Sequence, residues 1–247
     1  MKRETIDIKT PDGVANAYLA RPDDEPHPGV LFISDAFGLR PAIEEMVDRV
    51  AADGYVVLAP NVFYRAGRSP VEDLVGPVGG ERRAPAFQAV LPLIGELTPK
   101  RVARDGAAYL DYLGQVAAPG PVALTGYCMG GRLAWRIATT QPGRVAALAA
   151  FHTAGLVTDE PDSTHLSAVD LGPIEAYFGF ADDDPGATSE QIATLRQALD
   201  AAGVRYTAEV YEGARHGYAV PDAPAYDPIA SERQFRELRA LLARTLR

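Results

Sequence analysis

Apolar residues recur along this chain in two rhythms. Short continuous runs, Val30-Leu31-Phe32-Ile33, Tyr55-Val56-Val57-Leu58-Ala59, Val122-Ala123-Leu124-Thr125, Val145 to Phe151 and Ile174 to Phe180, have the length of strands buried on both faces. Between them, from Pro41 to Ala52, Lys100 to Tyr112, Ser189 to Ala202 and Ala230 to Arg247, apolar positions return every three or four residues, which predicts amphipathic helices. Pro41 suits a first helical position, and Gly54 and Gly203 suit helix stops. Thr5 to Leu19 alternates instead, with Asp12-Gly13 at its centre, and predicts a β-hairpin. Tyr206 to Tyr211 alternates as a last strand. The order predicts an α/β fold with a mostly parallel eight-stranded sheet and helices on both faces, in a single domain covering residues 1–247. Residues 61–99 break the rhythm: Gly76-Pro77 and Gly79-Gly80 surround only a weak helical stretch, Ala86 to Leu97. The expectation is an irregular excursion within the domain, either lining a site or running as a surface loop.

Composition narrows the classes. A net charge of −9 with no basic stripe argues against nucleic-acid binding and disfavours anionic membranes. No apolar run approaches membrane-spanning length. The N-terminus enters strand sequence directly, without the apolar core of a signal peptide, so a cytoplasmic location is expected. One cysteine cannot form an intrachain disulfide. That leaves Cys128 to be explained.

Cys128 lies in Gly126-Tyr127-Cys128-Met129-Gly130, between the strand ending at Thr125 and the helical pattern Arg132 to Ala138. Strand, tight turn and helix with a nucleophile-type side chain at the turn is the build of the G-x-S-x-G elbow of α/β-hydrolases, here with sulfur in place of oxygen. A helix N-terminus beside the sulfur favours the thiolate. A buried cysteine acting as a small hydrophobe is the bland alternative, and the flanking glycines weigh against it.

The partners follow in the chain order nucleophile, acid, base. After Phe178 comes Gly179-Phe180-Ala181-Asp182-Asp183-Asp184-Pro185, where Asp182 is the candidate acid and Asp183 its rival; the same aspartates also suit a plain turn. His216 lies between the last strand and last helix, where an imidazole reaches an elbow. Among the other histidines, His27 reads as solvated and His165 as part of a polar loop. His152 follows a strand end, where an ordinary hydrogen-bonded loop role is favoured over one in the pocket. Their spacing offers no metal site. In this reading His216 takes the thiol proton, Asp182 fixes its tautomer, and Cys128 attacks a carbonyl. The oxyanion would be met by the backbone N–H groups of Met129 and of Ala36, the latter in the loop after the Val30 to Ser34 strand. Phe37, Tyr64, Arg65, Tyr127, His152 and Tyr218 are candidates for substrate contact.

Taken together, these motifs resemble the dienelactone hydrolase (carboxymethylenebutenolidase) family. The resemblance runs from the Asp12-Gly13 hairpin through Asp35-Ala36-Phe37-Gly38, Gly54-Tyr55 and Ala59-Pro60-Asn61-Val62-Phe63 to Gly126-Tyr127-Cys128-Met129-Gly130-Gly131. It continues in Gly179 to Asp182, His216-Gly217-Tyr218 and Pro224-Ala225-Tyr226. It implies a Cys-His-Asp triad, hydrolysis of enol-lactones and no cofactor. It also implies a carboxylate after the third strand that holds the thiol neutral until substrate arrives; the matching residue, Asp35, is one methylene shorter than the family's glutamate. The family's arginine shortly after the histidine has no counterpart in Gly217-Tyr218-Ala219-Val220, leaving Arg65, Arg82 or Arg83 as candidate substitutes. Esters and other lactones are therefore as plausible as dienelactone. The partner expected is a small ester or lactone, acting on a monomer or homodimer.

Tyr218 argues against an amidotransferase elbow, which would place glutamate there. Two other readings stay open. A ligand-binding protein without turnover, or a redox-sensing thiol, would use the same scaffold without hydrolysis.

Overall fold

The computed structural model describes residues 1–69, 81 and 83–246. These fall into two compact units, Met1–Gly120 and Pro121–Arg247.

In the first unit, β1 (Lys2–Thr10) and β2 (Gly13–Arg21) form the expected antiparallel hairpin. Gly13 takes a φ of 149°, a backbone conformation that a side chain would strain, which is why the turn falls there. β2 pairs antiparallel with β4 (Val56–Pro60), and β4 pairs parallel with β3 (Gly29–Ile33). Every residue of β3 and β4 is buried, as their unbroken apolar runs require. Helix α1 (Pro41–Ala52) opens on Pro41 and buries Ile43, Met46, Val47 and Val50, one stripe at helical spacing. Helix α2 (Arg83–Gly95) buries only Ala86 and Val90, and helix α3 (Pro99–Val116) is capped by the Thr98 side chain. The expected excursion thus holds a helix in its second half; Gly76-Pro77 and Gly79-Gly80 lie outside the described residues.

In the second unit, β5 (Val122–Tyr127), β6 (Val145–Phe151), β7 (Glu175–Ala181) and β8 (Arg205–Tyr211) pair in sequence order, all parallel. Helix α4 (Met129–Thr140) follows β5 after one residue. Helix α5 (Ser189–Ala201) starts with a capping box, Thr188 and Gln191 each satisfying the other's backbone. Helix α6 (Pro228–Thr245) is capped by Asp227, whose carboxylate accepts from Ile229 N and Ala230 N. A 3₁₀ helix, Thr164–Leu171, was not expected; His165 lies in it, with Nδ1 2.8 Å from Ser163 Oγ. All eight expected strands are present and mostly parallel, so their carboxyl ends gather the loops after β5, β6, β7 and β8.

Candidate active site

The elbow is built by sterics. Cys128 has φ 53° and ψ −119°, well outside the ordinary regions for a side-chain-bearing residue. A Cβ on Gly126 would lie 2.2 Å from Gly130 O, and one on Gly131 would lie 2.0 Å from Thr153 Oγ1. Only hydrogen fits at either position, so strand and helix meet closely enough to force the turn. Cys128 N–H donates to Phe151 O at 3.0 Å, pinning the elbow to the end of β6. Met129 is the first residue of α4, whose first turn carries no acid, so the positive end of the helix dipole faces the sulfur unneutralised.

His216 reaches this sulfur. Its Nε2 is 3.1 Å from Cys128 Sγ, and its Nδ1 is 2.6 Å from Asp184 Oδ2. Burial disfavours a charged ring here, but the hydrogen bonds to Asp184 and Cys128 and their negative charge outweigh it, and His216 is pushed up to about 10. For Asp184, burial acts upward, yet the contact with His216 holds its carboxyl below the usual range. The remaining Asp184 oxygen, Oδ1, accepts from Gly186 N at 3.0 Å.

The carboxylate beside His216 is therefore Asp184, neither Asp182 nor Asp183. The reason is the backbone path after β7. Asp182 opens the turn just past β7, donating its N–H to Ala214 O at 2.7 Å, and its carboxylate binds Gly213 N at 2.9 Å and Asp183 N at 3.1 Å. Asp183 turns the chain with a φ of 51°. Asp184 comes round into the buried side. The visible signal was Asp184-Pro185-Gly186, where an Asp side chain folds onto the N–H two residues on.

Other expected contacts sort differently. Tyr127 is fully buried, bonded through its hydroxyl to Gln234 Oε1 at 3.0 Å and stacked on Phe151; it underpins the elbow from the core and offers no surface to a substrate. Tyr218 is fully buried as well, its hydroxyl donating to Gly179 O at 3.0 Å. His152 is fully buried with a φ of 37°, and neither ring nitrogen has a hydrogen-bond partner among the described residues, against the expected loop role. Its ring centroid lies 5.4 Å from that of His216 and 5.1 Å from that of Tyr218, both edge-on. Sequence alone could not have found that packing. His27 is not simply solvated; its Nε2 lies 2.8 Å from Asp23 Oδ1.

In the first unit, Asp35 is buried and engaged on both oxygens: Arg40 donates to Oδ1 at 2.7 Å and to Oδ2 at 3.0 Å, and Phe37 N adds a bond to Oδ1 at 3.0 Å. A carboxylate so held is committed to shaping its own loop, which weighs against a free thiol-gating group. Ala36 lies buried within that loop, closed by Gly38 N donating to Asp35 O. Phe37 is buried too, with the Arg83 guanidinium 4.3 Å from its ring centre. Tyr64 donates to Asp105, and Arg65 bridges Asp12 and Asp105, so both tie their loop to α3. Arg82 lies outside the described residues. Among the described residues no cluster of His, Cys, Asp and Glu is placed to hold a metal, and no helix is long and apolar enough to cross a membrane.

A strained cysteine between β5 and α4, met from a β8–α6 loop by a histidine and from a β7–α5 loop by an aspartate, is the arrangement of an α/β-hydrolase. The dienelactone hydrolase family model matches residues 15–246, and the chain belongs to that family. It is accordingly a hydrolase of the class that acts on ester and lactone bonds. A mouse carboxymethylenebutenolidase homolog is 27% identical over 82% of this chain and 75% of its own length. A Synechocystis protein provisionally assigned as a carboxymethylenebutenolidase is 29% identical over 98% of this chain and all of its own. The crystal structure of a provisionally assigned dienelactone hydrolase from Klebsiella pneumoniae matches with a TM-score of 0.84 at 23% identity, covering 98% of each chain, a likeness of fold.

Proposed function

We propose that this protein hydrolyses carboxylic esters or lactones through a thioester on Cys128, with His216 and Asp184 completing the triad. The observation that carries the reading is the continuous chain Sγ–Nε2, Nδ1–Oδ2 at 3.1 and 2.6 Å. A histidine pushed up to about 10 is positively charged near neutrality, and its Nε2 lies within proton-sharing distance of the sulfur.

The thiolate attacks the carbonyl carbon; the C–S bond forms and the carbonyl π pair moves onto oxygen. That oxyanion is met by Met129 N–H at the helix start. The C–O bond then breaks, and His216 gives its proton to the leaving oxygen; in a lactone that oxygen stays attached to the acyl group. Water, deprotonated by His216, attacks the thioester, and the thiolate leaves as the acid product forms. Asp184 holds the tautomer that points Nε2 at sulfur. No step requires a cofactor.

The test is hydrolysis of p-nitrophenyl acetate. Cys128→Ala and His216→Ala should each remove about 100-fold or more of kcat/KM, because the groups act as a unit. Intact-mass measurement on the wild type during turnover should show one acetyl group on Cys128. Cys128→Ser should keep the fold and lose rate, the site being tuned for a thiolate. Near-normal rates in Cys128→Ala, or turnover without acetylation, would overturn the assignment.

A further inference from the structure

His152 is the buried titratable group that the triad leaves unused. It is fully buried, its two ring nitrogens have no hydrogen-bond partner among the described residues, and its backbone sits at a φ of 37°. Each of these is unfavourable, and together they mark a side chain that its surroundings hold in place. The surroundings are specific. The His152 N–H donates to Gly179 O at 2.7 Å, and the Tyr218 hydroxyl donates to the same oxygen at 3.0 Å. Gly179 allows this only because it lacks a side chain: a Cβ there would lie 2.8 Å from the Tyr218 hydroxyl oxygen. One carbonyl thus fixes two aromatic rings, which meet edge-on at 5.1 Å. Tyr218 belongs to the loop that carries His216, and the His216 ring leans edge-on against His152 at 5.4 Å. From the other side, the carbonyl of Phe151, the residue preceding His152, receives the Cys128 N–H. The same short segment therefore touches both members of the sulfur–imidazole pair.

We propose that His152 is a positioning residue: a neutral ring, clamped with Tyr218 on the Gly179 carbonyl, that buttresses the His216 imidazole against Cys128 and shields the pair from water. The inference rests on the triad reading above. The groups facing His152 are the rings of Tyr127, Tyr218 and His216, with the Asp184 charge beyond. Burial, then the positive charge on His216, depresses His152 to about 3, so it stays uncharged across the working range and does not repel the imidazolium beside it. The nitrogens have no assigned task; shape and neutrality do the positioning.

The test is the pH dependence of Cys128 alkylation by iodoacetamide, read beside p-nitrophenyl acetate kinetics, in His152→Ala, His152→Phe and Tyr218→Phe. Thermal unfolding reports on folding in each. His152→Ala should slow alkylation at pH 6 by about 10-fold or more. Its kcat should fall with KM changed by less than about 3-fold. His152→Phe should restore the curve to within about 3-fold of wild type, and Tyr218→Phe, which keeps the ring but drops the clamp, should shift it part of the way. A folded His152→Ala with the wild-type curve would overturn the proposal. So would a folded His152→Phe as impaired as His152→Ala, since the nitrogens would then be acting. If His152→Ala does not fold, a wild-type curve in Tyr218→Phe would overturn it. The triad reading fails separately, if wild-type Cys128 alkylates only as an ordinary thiol and Cys128→Ala still turns over ester.

Discussion

At the residue scale, the aspartate run shows how little separates a turn-former from a histidine's partner. Asp182, Asp183 and Asp184 share one chemistry, and the backbone assigns them three jobs: closing a turn, reversing the chain, and meeting His216. Asp184→Asn should lower kcat/KM by about 100-fold or more, because an amide there stabilises the wrong tautomer and no positive ring. Asp182→Asn should stay within about 3-fold of wild-type activity while losing about 1–2 kcal/mol of stability from its two backbone bonds. Ester kinetics with urea unfolding on both variants checks this; equal losses of activity would contradict it. Cys128 and His216 were legible in sequence because few residues of their types exist in the chain and each stands in a distinctive motif. Asp184 was less so: Asp184-Pro185-Gly186 carried a signal, but the choice among adjacent aspartates also depends on φ at Asp183, which no letter records.

Among elements, the elbow carries the strongest constraint. The positions of β5 and α4 follow from Gly126 and Gly131, where an added Cβ meets the Gly130 carbonyl or the Thr153 hydroxyl. Gly126→Ala should therefore cost about 3 kcal/mol or more, because the obstructing atom is backbone and cannot rotate away. Denaturant unfolding measures it, and a loss below about 1 kcal/mol would mean the elbow relaxes. Strands were readable because burial on both faces leaves continuous apolar runs, and the helices because each stripe is interrupted by caps such as Thr188 and Asp227. The 3₁₀ segment escaped because its eight residues show almost no amphipathic period: exposed Leu166 and Val169 stand beside buried Ala168 and Leu171. The roles expected for Tyr127 and Tyr218 failed for a related reason. Nearness to a reactive residue in sequence does not tell core-facing from pocket-facing at a turn.

For the molecule as a whole, two histidines bracket the pH range of stability. His216 is raised in the folded state to about 10, so its contribution is complete below the unfolded value near 6.5 and is lost as pH climbs through about 10. His152 is depressed to about 3, so the unfolded chain binds the extra proton and its contribution is lost as pH falls from about 6.5 toward 3. The melting temperature should fall on both sides of neutrality, and the acid limb should be shallower in His152→Phe, which has nothing there to protonate. Calorimetry from pH 4 to 10 tests this; parallel acid limbs in the two proteins would show that His152 is not the group excluded from protonation.

The bond from Gly155 N to Gly186 O, 2.7 Å long, ties the loop after β6 to the loop bearing Asp184. The contact is close-fitting, since a methyl on Gly186 would strike Ala154. Asp184 stands two residues before this rung, and its carboxylate is the one the imidazole meets. Losing a single aspartate from the run would keep an acid at that spacing while shortening the path from Gly179 to it. In weighing relatives of this chain, the count of residues between Gly179 and Gly186 is thus a better guide to an acid placed to meet the histidine than the presence of an acid at any fixed column.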